Sequence, residues 1–232
     1  MPRTTQHSEN LRDRPAYPLV EAARYVRVAP ATLRSWVIGR PYATRSGLRH
    51  WPALIKLADH ERRVFSFNNL VESHVLRALR TSHGAPVSAI RKALRYAAEE
   101  LGEPRLLLHR KLSTSAQELF LEQYGQLINL TRSGQLAMRQ LLAAHLQRVE
   151  WDSANLPLRL FPFVRAEENG RARPITIDPA IGFGRPILTG RGISTQVIAQ
   201  RIDAGEAPED VAADYEVSPS EVTEAVIYER AA

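Results

Sequence analysis

Between Leu19 and Val26 apolar side chains recur every three to four residues, at Leu19, Ala22, Ala23 and Val26, which predicts a short amphipathic helix. A break at Arg27 to Ala29 leads into a second run, "PATLRSW", with Pro30 at the first helical position, where a missing N–H costs nothing. Leu33, Trp36 and Val37 make its buried side, and Ala31, Thr32, Arg34 and Ser35 are left on the outer one. The next stretch, to "RRVFSF", loses the helical period and is basic and rich in turns, as a hairpin or wing would be. The 3.6-residue period then returns. A helix capped by Ser66 or Asn68 buries Leu70, Val71, Val75, Leu76 and Leu79; beyond Gly84 another starts near Pro86 and buries Ile90, Leu94 and Ala97.

Residues 104–132 alternate more than they spiral. "RLLLH", "ELFLE" and "QLINL" read as short strands, with Ser113 to Ser115 and Gly125 as turns. "GQLAMRQLLAAHLQRVEW" predicts a helix burying Leu136, Leu141, Leu142 and Leu146, and "LPLRLFPFVR" a strand interrupted by Pro162. The polar run 166–174 is a linker. After it come an extended arm and three helices: the first lined by Ile193, Val197, Ile198 and Ile202 and ended by Gly205, the second opened by Pro208 with Val211 and Ala212 inward, the third opened by a Ser218–Glu221 capping box around Pro219. The fold class is mainly α with a small β component. A flexible leader (1–16) precedes an N-terminal winged helix-turn-helix domain (17–103), a central α+β module for connection or dimerisation (104–165), the linker, and a C-terminal three-helix, helix-turn-helix-like domain with its arm (175–232).

Charge separates the two ends. Residues 1–100 carry 17 basic and 8 acidic side chains, and the last 32 residues carry 2 and 9. Of the 31 basic residues 28 are arginine, suited to bidentate contact with phosphate or carboxylate. The basic head and the acidic tail call for different partners. The tail also echoes the head: "VSPSEVTEA" matches "VAPATLRSW" in shape but offers Glu221 and Glu224 where the first offers Arg34, so the DNA backbone would repel it. The chain has no cysteine, no apolar run long enough for a membrane span and no secretory segment at its start, which fits a cytoplasmic protein.

Little here is equipped for chemistry. The seven histidines include no pair spaced i, i+4 for a metal, and Asp178, His109 and Ser113 make a triad only on paper. "GFGRPILTGRG" lacks the G-K-[ST] ending of a phosphate loop, so its glycines are assigned to turns. No enzyme activity, metal or cofactor is expected.

Ala23, Val28, Thr32 to Arg34, Trp36, Arg63 with Phe65, Gly84, Ile90 and Leu94 fall in the order found in the MerR family, whose DNA-binding domain residues 17–98 resemble. The chain departs from it in having Ala29, not serine, before Pro30, a longer wing, and neither the long dimerisation coiled coil nor the cysteine effector site common there. The resemblance implies that Ala31, Thr32, Arg34 and Ser35 face the DNA groove, with Arg40, Arg45 and Arg49 of the wing on phosphates. The last segment resembles a small domain of unknown function, DUF433, through Asp178, Pro179, Gly184, Pro186, Gly190, Ile193, Gly205, Val211, Tyr215, Val222 and Ala225. Phe183 stands where that pattern has a glycine, and Arg191–Gly192 where it has threonine and arginine. Members resemble antitoxins of PIN-domain ribonucleases, so the combination is similar to a large VapB-type antitoxin. That implies a homodimer or higher homo-oligomer with two partners besides: double-stranded operator DNA, and a PIN-domain toxin whose metal-binding carboxylates Arg171, Arg173, Arg185 and Arg191 would meet. The alternative is a MerR-like transcription regulator with no toxin partner.

Overall fold

In the computed structural model the described residues are 11–81, 87–100, 102, 105–108, 142–163 and 173–230. The head begins with β1 (Tyr17–Pro18), α1 (Leu19–Val26) and α2 (Pro30–Ile38). Between the helices Arg27 takes the left-handed conformation (φ 53°), its N–H bonded to the Arg24 carbonyl and that of Val28 to the Ala23 carbonyl. These two bonds end α1 as a Schellman motif does. The second helix starts at Pro30 with no side-chain cap from Ala29 and buries Leu33, Trp36 and Val37.

A two-stranded hairpin follows, β2 (Arg40–Thr44) and β3 (Gly47–Trp51), in register from Arg40–Trp51 to Thr44–Gly47. Its entry depends on Gly39 (φ 84°), where a Cβ would lie 2.0 Å from the Trp51 carbonyl oxygen. The short β4 (Val64–Phe65) then pairs antiparallel with β1 and delivers the chain into α3 (Phe67–Thr81), whose Ser66 cap accepts the Asn69 N–H at 3.2 Å. The helix α4 (Val87–Glu100) buries Ile90 and Ala97.

The apolar stripe predicted for α3 is present, but the helix is buried on nearly every side, Asn69, Glu72, Ser73 and His74 included. Residues far along the chain cover the face that its polar side chains left to solvent in the sequence reading. Leu106–Leu108 form a 3-10 turn with all three leucines buried, where the alternation suggested a strand. A strand would have turned the middle leucine outward, whereas the turn sinks all three. The helix expected through Trp151 is described at 142–146 and gives way to β5 (Val149–Trp151), paired with β6 (Pro157–Leu160). Asp152 decides this, its Oδ1 accepting the N–H groups of Ala154 (2.9 Å) and Leu156 (3.0 Å) to close the hairpin. The other two strands predicted in the middle, the turns at Ser113 to Ser115 and Gly125, and Leu136, Leu141, Gly84 and Pro86 lie outside the described residues.

The segment expected as an extended arm is folded back on itself. Strand β7 (Ile175–Thr176) pairs with β8 (Ile187–Leu188), and Ile177 exchanges backbone hydrogen bonds of 2.8 and 3.0 Å with Leu160 of β6. Beyond it α5 (Thr195–Asp203), α6 (Pro208–Asp214) and α7 (Pro219–Arg230) enclose a small core of Ile175, Leu188, Ile198, Val211, Ala212, Val222, Ala225 and Tyr228. The capping box forms, Ser218 N–H to Glu221 Oε2 at 2.8 Å and Glu221 N–H to Ser218 Oγ at 3.2 Å. Val197, predicted inward, is exposed, one residue and so about 100° round the helix from buried Ile198. Nor does the polar start of the chain run free to Ala16: Arg12 is buried and its Nη2 lies 2.6 Å from Asp152.

Where α3 meets helical residues 142–146, His74 and His145 lie with ring centroids 4.9 Å apart, beside Phe163 and Arg77, with Arg148 4.5 Å over the Phe163 ring. The Nε2–H of His74 donates to the His145 carbonyl at 3.1 Å. Burial, and then the neighbouring His145, hold its pKa well below the ordinary value. The unfolded chain binds this proton near pH 6.5 and the folded one does not, so acid favours unfolding. Stability should be level above about pH 7 and fall by up to about 1.4 kcal/mol per pH unit below about pH 6.5. Urea denaturation from pH 5 to 8 measures the slope, which His74→Gln should flatten; an unchanged slope in that variant would count against His74 as its source.

Candidate functional site

Two surfaces collect the singled-out residues. On α2, Ala31 and Arg34 are exposed, while Thr32 and Ser35 are half-buried. The Ser35 hydroxyl donates to the Thr32 carbonyl at 2.7 Å, so its proton is already used within the helix. Gly39 then turns the chain directly into the hairpin, where Arg40, Arg45 and Arg49 are exposed, Arg45 in the two-residue turn at the tip. That turn is braced by Thr44, whose Oγ1 lies 2.7 Å from the Gly47 carbonyl. At the base of the hairpin Trp51 stacks on Tyr42 (4.3 Å), and Arg91 of α4 sits 5.4 Å over its ring while donating to the Pro52 carbonyl at 2.7 Å. The hairpin is thus held against α4 by its aromatic end and leaves its arginine-bearing end outside. None of Arg34, Arg40, Arg45 and Arg49 has an acidic partner among the described residues. What this surface offers chemically is a set of exposed guanidinium groups suited to polyanions.

The four arginines singled out near the C-terminal domain fare differently. Arg171 lies outside the described residues. Arg173 is engaged within the chain, donating to the Gln147 carbonyl at 2.5 Å and lying 4.7 Å over the Phe161 ring. Arg191 stands 3.8 Å from Glu221, which it helps hold as a carboxylate after the larger effect of the Ser218 hydrogen bonds. Arg185 is exposed, with one 3.4 Å contact to Gln196. The Asp178 of the paper triad is instead the buried partner of Arg159 at 2.7 Å, while His109 and Ser113 lie outside the described residues. Among the described residues no three His, Asp or Glu side chains could hold a metal ion, and no helix is long and apolar enough to cross a membrane.

The sequence hid the contact between the two ends. Helix α7 lies on α1, the first helix of the head. Glu229, its side chain only 7% exposed, accepts from Arg24 at 2.8 Å and from the Thr195 hydroxyl at 2.5 Å. Burial is the largest effect on Arg24 and works against its charge, but Glu229, Tyr25 and Tyr228 together outweigh it, and the guanidinium pKa stands above its ordinary value. Tyr228 is buried between the domains: its hydroxyl is 3.4 Å from the Tyr25 carbonyl, its own carbonyl 3.3 Å from Arg27 Nη2, and its pKa is raised by burial. Arg27, read only as a helix break, is also a ligand of the last helix.

Residues 175–228, the closed hairpin and the three helices, match the family model described as "Protein of unknown function (DUF433)". Along nearly its whole length the chain is 30% identical to "Putative antitoxin VapB45" of Mycobacterium tuberculosis, over 92% of this chain and 93% of that one. The chain belongs to the VapB45 family. It is also 25% identical to the uncharacterized protein Rv2308 of the same organism, over 93% of this chain and 90% of that protein. The crystal structure of Rv2018, again from M. tuberculosis, shares the fold with a TM-score of 0.66 and 24% identity, covering 92% of this chain and 98% of that one. Kinship with VapB45 therefore spans both the head and the tail.

Removing the carboxylate of Glu229 strands Arg24 and Thr195 together. Glu229→Ala should destabilise the chain by about 2 kcal/mol, and Tyr228→Phe, which removes one long hydrogen bond, by less than about 1 kcal/mol. Urea midpoints at constant m-value give both; the reverse order would show that the hydroxyl, not the carboxylate, ties α7 to α1.

Proposed function

We propose that the chain is an antitoxin and autorepressor: it inhibits a PIN-domain ribonuclease toxin and binds its own promoter DNA. The observation that carries this reading is its kinship along 92% of its length with the putative antitoxin VapB45. The same kinship supports a role without catalysis. The DNA half is supported by the arrangement of the head, where two short helices and a hairpin put Arg34, Arg40, Arg45 and Arg49 on the outside without acidic partners. In this reading residues 17–103 are a MerR-like winged helix-turn-helix domain. Ala31, Thr32 and Arg34 meet the edges of bases and Ser35 lies beside them, while the hairpin arginines hold phosphates. Residues 104–165 connect or dimerise, so that two heads meet a palindromic operator.

The toxin half belongs to residues 175–232 and the linker before them. Among the three described there Arg185 is the open cation, and Arg171, Arg173 and Arg191 are its assigned companions; engaging Arg173 and Arg191 would require trading their internal contacts. The acidic helices α6 and α7 keep this end off DNA.

The test is to co-express the tagged chain with the untagged product of the adjacent open reading frame, and to assay ribonuclease activity of that product alone and in complex. A stable complex with suppressed activity is expected. Arg34→Ala should weaken operator binding about tenfold or more while leaving toxin binding intact, and Arg45→Ala should lower the salt slope of DNA binding by about one. Equal loss of both activities in Arg34→Ala would remove the division of labour. A neighbour that neither binds nor cleaves RNA would instead leave a DNA-binding regulator without a toxin.

A further inference from the structure

Phe183 is 95% exposed, the most exposed of the large apolar side chains described. It also holds a left-handed backbone (φ 56°, ψ 28°), which L side chains avoid. The loop carrying it is not loose. Asp178, fixed by Arg159 at 2.7 Å, accepts the Ala180 N–H at 2.8 Å, and its backbone carbonyl accepts the Ile181 N–H at 3.1 Å. The N–H groups of Gly184 and Arg185 close the next turn onto the carbonyls of Ile181 (2.9 Å) and Gly182 (3.0 Å). Gly184 is pressed on the head itself: a Cβ there would lie 2.1 Å from the Tyr17 hydroxyl oxygen. A braced turn therefore aims an aromatic ring at solvent, with both backbone strain and apolar exposure unrelieved in the isolated chain.

The ring borders a 340 Å³ depression whose other lining includes Leu11, Pro15 and Pro179, together with the exposed Arg14 and Arg185. None of its lining residues is acidic. A rigid aromatic side chain flanked by arginines is the composition of a binding hot spot. We propose that Phe183 anchors a protein-docking surface, and that its partner offers an apolar socket for the ring rimmed by carboxylates that pair with Arg14 and Arg185. This rests on the antitoxin reading, and it gives the toxin a defined contact on this chain. The surface lies where β1 and residues 11–16 meet the C-terminal hairpin, so both ends of the chain build it. Duplex nucleic acid is the weaker occupant, since its phosphates could pair with the arginines but its stacked bases offer no apolar socket for the ring.

Phe183→Gly tests this cleanly, because glycine accepts the observed φ without strain and the variant should melt at or above the wild-type temperature. Calorimetric titration of the full chain with the untagged neighbouring gene product should show about thirtyfold weaker binding in Phe183→Gly. Charge reversal in Arg14→Glu with Arg185→Glu should weaken it as well, with a reduced dependence on salt. Operator affinity by mobility shift and oligomer mass by sedimentation should not change. Phe183→Asn, whose side chain also tolerates this backbone, guards against a folding artefact. Wild-type affinity in both Phe183 variants would overturn the proposal. A selective loss of operator affinity would assign the ring to DNA, and a halved oligomer mass to a second copy; either overturns it too. If the wild-type chain itself does not bind the neighbour, the antitoxin reading falls first and this inference with it.

Discussion

A helix buried on nearly every side leaves most of its polar groups no water to turn to, and α3 is such a helix. Its Asn69 answers this constraint for a whole neighbourhood. The side-chain oxygen accepts the N–H groups of Ala58 (3.0 Å) and Ser66 (3.1 Å), and the amide nitrogen donates to the Lys56 carbonyl (2.9 Å) and to Glu72 (2.9 Å). Glu72 in turn receives Arg105 through two nitrogens, at 3.0 and 3.1 Å. One side chain thus holds the loop after the hairpin, the start of α3 and the turn carrying Leu106 to Leu108. A half-satisfied version of this network would cost more than an apolar core. Its completion allows the helix to serve as the axis on which α1, α2 and the hairpin are mounted.

Helix α1 has two neighbours to satisfy. Its inner residues Ala22, Ala23 and Val26 pack in the large core, while Arg24, Tyr25 and Arg27 bind α7. The left-handed Arg27 belongs to both arrangements: its backbone ends α1 and sets the direction of α2, and its guanidinium holds the Tyr228 carbonyl. A shift of α7 would therefore be felt at the turn that orients the exposed face of α2. The charge asymmetry of the chain acquires a spatial meaning here, because the acidic tail is carried on the back of the basic head by a few charge-assisted bonds.

The two helix pairs differ in what covers their second helices. The α2 surface keeps its arginine without an acidic partner. In the C-terminal copy Glu221 is spent on the capping box and on Arg191. Similar local sequences thus present one open face and one partly closed one, because what surrounds them differs.

Much of the local structure was legible in the residues. The extent of α1, the start of α2 at Pro30, a cap at Ser66 or Asn68, the turn at Arg27 to Ala29, the capping box at Ser218 and a hairpin or wing after α2 all follow from short-range chemistry: apolar period, proline at a first turn, a hydroxyl three residues from an amide. Periodicity failed where distant chain supplied the environment. "RLLLH" alternates like a strand, yet α3 offered a wall that only a tight turn can meet with three leucines, and Asp152 turned the end of a predicted helix into a hairpin. The sequence by itself determined the helices of the two ends and where charge accumulates, because those depend on neighbours a few residues away. Only the tertiary structure decided that α3 is buried on nearly every side, that Glu229 belongs to Arg24 some 200 residues earlier, and that Phe183 is left in solvent, because each depends on which surfaces meet after the chain has closed on itself.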